Sequence, residues 1–141
     1  MARVICTLLV CVMAMAAYGQ SSKDKTKVDA VCEKYMQYFK DNKVAEGIAL
    51  LKLNSVIPGE TIDKMQATIE GHMVIMVGNY GKILSYEFIQ EKKIKDVLAK
   101  RYYLLKFERF YVKFDFTLYN GAQGWTIVNF NYNEELAELF Q

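Results

Sequence analysis

The sequence predicts an α+β domain, in which N-terminal helices pack on a strongly curved four-stranded antiparallel sheet and a short C-terminal helix follows. Up to Gly81, apolar residues recur at the spacing of helices; after it, they alternate with polar residues as strands do. Most aromatic residues lie from Tyr86 onward, which suits half-buried sheet surfaces. The segment Asn120-Gly121, followed by Gly124, predicts a turn that joins the last two strands as an antiparallel hairpin.

The N-terminus has the pattern of a secretory signal peptide over residues 1–19. Arg3 supplies a positive charge, residues 4–17 are an uninterrupted apolar run, and Ala17-Tyr18-Gly19 offers the small-x-small cleavage pattern. The run is shorter than the roughly 20 residues that cross a bilayer, which argues against a membrane anchor. We therefore predict export, periplasmic or secreted, with cleavage near Gly19-Gln20 and no stable membrane insertion afterwards.

The remaining chain divides into a polar, flexible lead-in (residues 20–26) and one domain (residues 27–141). The first helix is predicted from Lys27, because Val28, Cys32, Tyr35 and Phe39 recur at helical spacing. Asp41-Asn42 ends it. A shorter second helix is predicted around Ile48, and residues 54–59, which contain the only proline, are predicted to be a loop.

A third helix is predicted from about Thr61 to the glycine-rich stop at residues 78–81. Its apolar stripe consists of Ile62, Met65, Ile69, Met73 and Met76. Period-two alternation predicts strands over residues 83–89, 97–108, 110–119 and 125–132. Asn133 is the predicted cap of a final short helix carrying Leu136, Leu139 and Phe140.

The third strand places phenylalanines on one side and a mixed set on the other. The mixed set is Tyr111, Lys113, Asp115, Thr117 and Tyr119. This side is predicted either to pair with another subunit, as a homodimer through the sheet face, or to be an ordinary solvent face with tyrosines.

Charge and ligand residues exclude several classes of function. The formal net charge is +2, and +1 once Arg3 leaves, so nothing favours nucleic acid as a partner. After signal removal Cys32 is the only cysteine and His72 the only histidine, so neither a disulfide, a metal site nor a Cys–His pair is predicted. No glycine-rich loop enters a helix, and no cofactor is predicted.

Four segments in order resemble the NTF2-like (cystatin-like α+β) superfamily, in particular its small exported bacterial proteins of unknown function. They are residues 81–87 (GKILSYE), 102–108 (YYLLKFE), 116–120 (FTLYN) and 124–130 (GWTIVNF). The resemblance covers residues 27–140 and implies a cone, with a bent sheet wrapped around the helices and a cavity between them. Catalytic members resembling ketosteroid isomerase carry an Asp or Asp-His pair in that cavity, and this sequence offers no clear counterpart.

The methionine stripe and the tyrosines suggest where a ligand would bind. Methionine fills irregular core space, but it also suits apolar pockets that accept varied ligands. The predicted lining consists of Tyr35, Met65, Met73, Met76, Tyr86 and Tyr103. Ser85 lies in a predicted strand rather than at a nucleophile elbow, so it is not a catalytic candidate.

Two functional hypotheses follow. The leading one is an exported, non-enzymatic binding or interaction module with a small apolar ligand, whose pocket lacks converging titratable groups. The alternative is a small isomerase or lyase acting on an apolar substrate in the cavity. Its acid or base would come from His72, Glu87 or Asp115.

Overall fold

The computed structural model describes residues 21–141, so the predicted signal peptide lies outside the described residues. Three helices precede four strands and one 3-10 turn. They are α1 (Lys25–Lys40), α2 (Val44–Asn54), α3 (Gly59–Tyr80), β1 (Ile83–Ile94), β2 (Leu98–Phe107), β3 (Tyr111–Gly121), β4 (Gly124–Asn133) and η1 (Ala137–Leu139). The helices pack against one antiparallel sheet with strand order β1-β2-β3-β4, which confirms the predicted α+β class and meander.

The start of α1 differs from the prediction by two residues. The Asp24 carboxylate accepts a hydrogen bond of 3.0 Å from the Thr26 amide and caps the helix at Lys25. Ser22, in the predicted lead-in, exchanges two backbone hydrogen bonds with Trp125 of β4. Gly124 permits this contact, because a Cβ there would lie 2.5 Å from the Ser22 backbone.

Strand β1 is longer than predicted and reaches Ile94. Its alternation is interrupted by two register shifts against β2, one after Ile83 and one after Phe88, which obscure the period of two in the sequence. Beyond them the pairing continues to Ile94↔Leu98. Lys95, with φ of 50°, begins the turn into β2.

The core lies between α1 and the inner face of the sheet. Tyr35 and Phe39 of α1 stack at 4.7 Å and meet Phe114, Phe116 and Phe130 of the sheet at centroid distances of 4.9–6.5 Å. All five side chains are buried. Aromatic pairs in these edge and offset geometries add to the stabilisation from burial itself.

The outer face of the sheet is partly covered by the chain's own C-terminal segment, residues 134–141. The predicted C-terminal helix is a single 3-10 turn within this segment. Beneath it, Lys113 and Asp115 are each only 1% exposed, although the sequence placed them on the mixed side of β3. The sequence predicted that this side faces either another subunit or solvent, and it did not predict the covering segment. The homodimer stays a prediction.

Among residues 21–141, no helix combines the length and the apolar character needed to span a membrane.

Candidate functional site

A cleft between α3 and the end of β4 brings apolar walls and polar groups together. It consists of two neighbouring cavities, of about 290 and 310 Å³, which share Tyr132. The first is lined by His72, Ile75, Met76, Asn79, Tyr80, Tyr132, Asn133 and Glu134. The second is lined by Thr61, Lys64, Met65, Thr68, Ile69 and Tyr132. We refer to the two together as the α3 cleft.

Tyr132 is the fixed polar group of the α3 cleft. Its ring stacks on Phe114 of the core at 5.6 Å, which holds it in place. Its hydroxyl lies 2.7 Å from Nδ1 of His72, a hydrogen-bond distance. Burial raises the pKa of Tyr132, so the phenol remains protonated near neutral pH.

Tyr80 and Glu134 form a second polar pair at the other end of the first cavity. The Tyr80 hydroxyl donates to Oε1 of Glu134 at 3.3 Å, and the ring packs against Phe107 and Phe110. Loss of solvent and the negative charge of Glu134 raise the pKa of Tyr80. The neutral Tyr80 hydroxyl and the Glu134 carboxylate that accepts its hydrogen bond therefore lie side by side in the cavity.

The arrangement suits a small molecule with an apolar body and one or two hydrogen-bonding groups. Ile75 and Met76 supply an apolar wall to one cavity, and Met65 and Ile69 supply one to the other. Protein sites for small ligands commonly combine such walls with a few placed polar groups.

His72 and Glu134 line the same cavity but do not contact each other. The nearest described partner of His72 is the Tyr132 hydroxyl, whereas Glu134 accepts from Tyr80. Among residues 21–141, no carboxylate lies within 4.0 Å of the His72 ring. His72 and Glu134 therefore share a cavity, although the sequence predicted a pocket without converging titratable groups. The contact between a carboxylate and the imidazole, which would orient His72 as a base, is not made among the described residues.

In comparisons with known proteins, no family model, curated protein or solved structure matches this chain.

Two of the six predicted lining residues, Met65 and Met76, line the α3 cleft. Met73 is 3% exposed and lines a different cavity, of about 530 Å³, between α2 and α3. Tyr35 is fully buried in the aromatic core, where its hydroxyl has no hydrogen-bond partner in the described part of the chain. Burial, with a smaller contribution from Tyr132, raises the pKa of Tyr35 well above its ordinary value.

The other two predicted lining residues belong to a polar network between α1 and the sheet. We call it the Arg101 network, and it comprises Lys25, Asp29, Glu33, Tyr86, Glu91, Arg101 and Tyr103. Arg101 contacts Oε2 of Glu91 at 2.8 Å and donates to the Tyr103 hydroxyl at 3.1 Å. That hydroxyl in turn donates to Glu33 at 2.9 Å. Burial and the Glu33 carboxylate raise the pKa of Tyr86.

Arg101 joins three elements through this network. Its Nη1 atom lies 3.3 Å from Asp29 of α1, and its guanidinium lies 4.4 Å above the ring of Phe88 in β1. Burial acts to lower the pKa of Arg101, but Tyr103, Glu91 and Asp29 outweigh burial and raise it. The arginine is therefore a permanent cation, which Tyr103, Glu91 and Asp29 stabilise.

The remaining chemical candidates lie apart from one another. Glu87 is exposed on the outer face of β1, 3.8 Å from Lys106. Asp115 is buried on the outer face beneath the C-terminal segment, whereas His72 lies on α3. Cys32 is buried, and burial raises its pKa to about 12, so it is a neutral thiol at physiological pH.

Sequence reasoning missed Tyr80, Tyr132 and Glu134. One of them carried a usable signal, because His72, Met76 and Tyr80 follow at i, i+4 and i+8 and so share one face of α3. Tyr132 and Glu134 reach the same place only through the packing of β4 beside α3. No spacing within the sequence indicates that contact.

Proposed function

We propose that this chain is an exported, non-enzymatic binding module with the NTF2-like fold, and that its α3 cleft takes a small, largely apolar molecule. The observation that carries the proposal is the pairing of apolar walls with one rigid hydrogen-bonding group. Tyr132 is stacked on the core and hydrogen-bonded to His72, so it meets a ligand without first losing conformational freedom.

The NTF2-like part of the proposal rests on the order of elements and on sequence motifs. Three helices precede a four-stranded antiparallel meander, and the segments 81–87 and 124–130 carry the resemblance. A crystal structure in which the sheet bends strongly around the helices would support it. A flat, open sheet would contradict it.

Export rests on the sequence pattern of residues 1–19. N-terminal sequencing or intact mass of the protein recovered from its native host tests it. We expect a chain that begins at Gln20, either free or cyclised to pyroglutamate. A chain that retains Met1 and the apolar run would contradict export.

The ligand proposal is tested by native mass spectrometry of the mature protein from its native host. We expect a retained small molecule, and we expect Tyr132→Phe to weaken its retention about tenfold, the effect of losing one hydrogen bond of roughly 1.5 kcal/mol. Tyr38→Phe is the matched control, because Tyr38 is a half-buried tyrosine of α1 that does not line the cleft. The same spectra would show the predicted homodimer as a doubled mass.

Two results would contradict the ligand proposal. One is a clean protein mass that also fails to gain any compound from a panel of small apolar phenols and ketones. The other is a bound molecule whose retention is equal in wild type, Tyr132→Phe and Tyr38→Phe.

One observation favours a second candidate, an isomerase or lyase that uses His72 as its base. The His72 imidazole lies 2.7 Å from the Tyr132 hydroxyl, and Glu134 lines the same cavity. An imidazole and a phenol at hydrogen-bond distance can transfer a proton to or from a substrate. The probe is nitrobenzisoxazole, whose ring opens when a base removes its C–H proton. A rate that falls to background in His72→Asn, but not in the Glu87→Gln/Asp115→Asn double variant, would support this candidate; equal rates in all three proteins would contradict it.

A further inference from the structure

The outer face of the sheet gathers lysines from three strands around one aromatic ring. Lys92 of β1 and Lys100 of β2 are direct cross-strand partners, and Lys113 comes from β3. Their Nζ atoms lie 5.9, 5.4 and 5.9 Å from the ring centroid of Tyr102. Like charges placed opposite each other destabilise a sheet, so this cluster requires an anion.

The C-terminal segment supplies that anion through Glu138. Oε2 of Glu138 lies 3.2 Å from Nζ of Lys113 and 3.4 Å from Nζ of Lys100. Lys92 donates to the Glu138 backbone carbonyl. The hydrogen bond from Lys113 and the charges of both lysines lower the pKa of Glu138, so it is ionised.

The segment that carries Glu138 has little regular structure and little burial. Its only regular structure is the 3-10 turn Ala137–Leu139, which buries no residue. The Glu138 side chain is 46% exposed, whereas Lys113 beneath it is 1% exposed. Segments with so few buried contacts open locally at low free-energy cost.

An apolar groove begins beside the lysines. It has a volume of about 440 Å³. Ile94, Leu98 and Ala99 supply its apolar wall, and Lys92, Lys93 and Lys100 also line it. Ile94, at its rim, is 66% exposed. The groove therefore combines an apolar wall with positive charge.

We infer that the outer face is a binding site for a monomeric amphiphilic carboxylate, such as a medium-chain fatty acid, with which the C-terminal segment competes. The ligand's carboxylate takes the position of the Glu138 carboxylate between Lys100 and Lys113. Its hydrocarbon chain lies along Ile94 and Leu98. We infer a carboxylate head group because the Glu138 carboxylate is the group that Lys100 and Lys113 contact in this structure.

The charge of the site agrees with this ligand. Asp115 lies 3.6 Å from Lys100 and remains in place, so the three lysines keep an excess of two positive charges when Glu138 leaves. One ligand carboxylate restores the net charge that the cluster has when Glu138 contacts Lys100 and Lys113. An uncharged amphiphile of the same length would leave the lysines unpaired.

Calorimetric titration of the full mature chain with dodecanoate, below its micelle concentration, tests the inference. We expect Glu138→Gln to bind dodecanoate about tenfold more tightly than wild type, because the competing carboxylate is gone. We expect Lys113→Met to weaken binding at least tenfold, and Lys100→Met to do the same should Lys113→Met fold poorly. Lys34→Met, an exposed lysine of α1, is the control and should match wild type.

Dodecanol and amide chemical shifts complete the design. Dodecanol, which has the same chain without the charge, should bind at least tenfold more weakly than dodecanoate. The amides of Tyr102 and Thr117 should shift on titration, and those of His72 and Tyr132 should not. Equal affinity of wild type and Glu138→Gln, equal affinity for dodecanol, or shifts centred on the α3 cleft would each overturn the inference.

Discussion

The two faces of the sheet bury charge in opposite ways. On the inner face, the Arg101 network joins α1, β1 and β2, and Arg101 contacts Asp29, Glu33 and Glu91 at 2.8–3.5 Å. On the outer face, the nearest cation to Asp115 within residues 21–141 is Lys100 at 3.6 Å, and Oδ2 of Asp115 has no hydrogen-bond partner among these residues. The first network is complete, and the second is not.

Only the inner network has the completeness of a structural one. A buried polar network whose members are all paired fixes the arrangement of the elements it joins. In the outer network, the three lysines outnumber the two carboxylates beside them, so positive charge is left in excess. The inner network therefore holds α1 on the sheet, and the excess charge of the outer one is what would attract the proposed anionic ligand.

Removing Arg101, the centre of the inner network, should cost more stability than any other change proposed for this chain. Arg101→Met leaves Glu33 without its cation, and it leaves Asp29 and Glu91 with Lys25 alone. Breaking a buried ion pair on one side costs about 3–5 kcal/mol, and we expect a loss of that size in the free energy of unfolding. Urea denaturation followed by tryptophan fluorescence measures it.

Two variants sharpen this prediction. Arg109→Met removes an exposed arginine that donates only to the Asn79 carbonyl, and it should change stability by less than about 0.5 kcal/mol. Arg101→Lys keeps the charge but loses the planar fork, so it should fall between wild type and Arg101→Met. A loss in Arg101→Met no greater than that in Arg109→Met would mean that the network does not hold α1.

The next effect is the acid sensitivity of the inner network. Burial acts to raise the pKa of Glu91, but hydrogen bonds and charge from Lys25 and Arg101 outweigh it and lower the pKa below the ordinary value of 4.5. A lowered folded pKa stabilises the fold above the unfolded value, and this stabilisation is lost as pH falls through the folded value. At pH 7, Glu91→Gln should cost about 1.5–3 kcal/mol, typical of hydrogen bonds to charged groups.

Denaturation of Glu91→Gln and wild type between pH 7 and pH 2 tests the sign. The difference between them should shrink as the pH falls below 4.5. A difference that stays constant or grows in acid would show that the carboxylate of Glu91 is not what stabilises the network.

The fold could be predicted because its signals are local. The change from helical spacing to alternation at Gly81 located the sheet, and the turn at Asn120-Gly121 paired its last strands. The end of β1 could not be predicted, because register shifts after Ile83 and Phe88 depend on β2. The covering of Lys113 could not be predicted either, because the C-terminal segment turns from the end of β4 over the outer face of the sheet, where Glu138 reaches Lys113.

The candidate site could be predicted only in its helical half. Met65 and Met76 line the cleft because α3 sets their spacing, and spacing is visible in a sequence. The tyrosines could not be chosen in the same way. Tyr103 and Tyr132 both lie on predicted strands, yet one contacts Arg101 and the other His72. Which element covers each position decides that, and only the fold shows it.

A smaller effect with the opposite pH dependence is expected on the outer face. Burial raises the pKa of Asp115 above its ordinary value of 3.8, and burial outweighs the attraction of Lys100 and Lys113. A raised folded pKa means that ionisation costs stability as pH rises through the folded value. Asp115→Asn should therefore be more stable than wild type at pH 7, by about 1 kcal/mol, the scale of one net hydrogen bond.

The comparison with Glu91→Gln makes this result decisive. The advantage of Asp115→Asn should disappear below pH 3.8, where both proteins carry a neutral group at this position. A variant less stable than wild type at pH 7 would place Asp115 among the completed ion pairs. The contrast between the two faces of the sheet would then be lost.

The smallest expected effect concerns the buried hydroxyl of Tyr35, which belongs to neither face. Its ring meets Phe39, Phe116 and Phe130, and none of the residues that the structure describes offers its oxygen a hydrogen bond. Replacing an unpaired buried hydroxyl removes a desolvation cost, so Tyr35→Phe should leave stability unchanged or raise it by up to about 1 kcal/mol. Tyr103→Phe is the matched control, because its hydroxyl is paired with Arg101 and Glu33 and its loss should destabilise the fold. Thermal unfolding of both variants distinguishes them: a destabilised Tyr35→Phe would mean that the Tyr35 hydroxyl has a partner, and the aromatic core would then hold a polar site of its own.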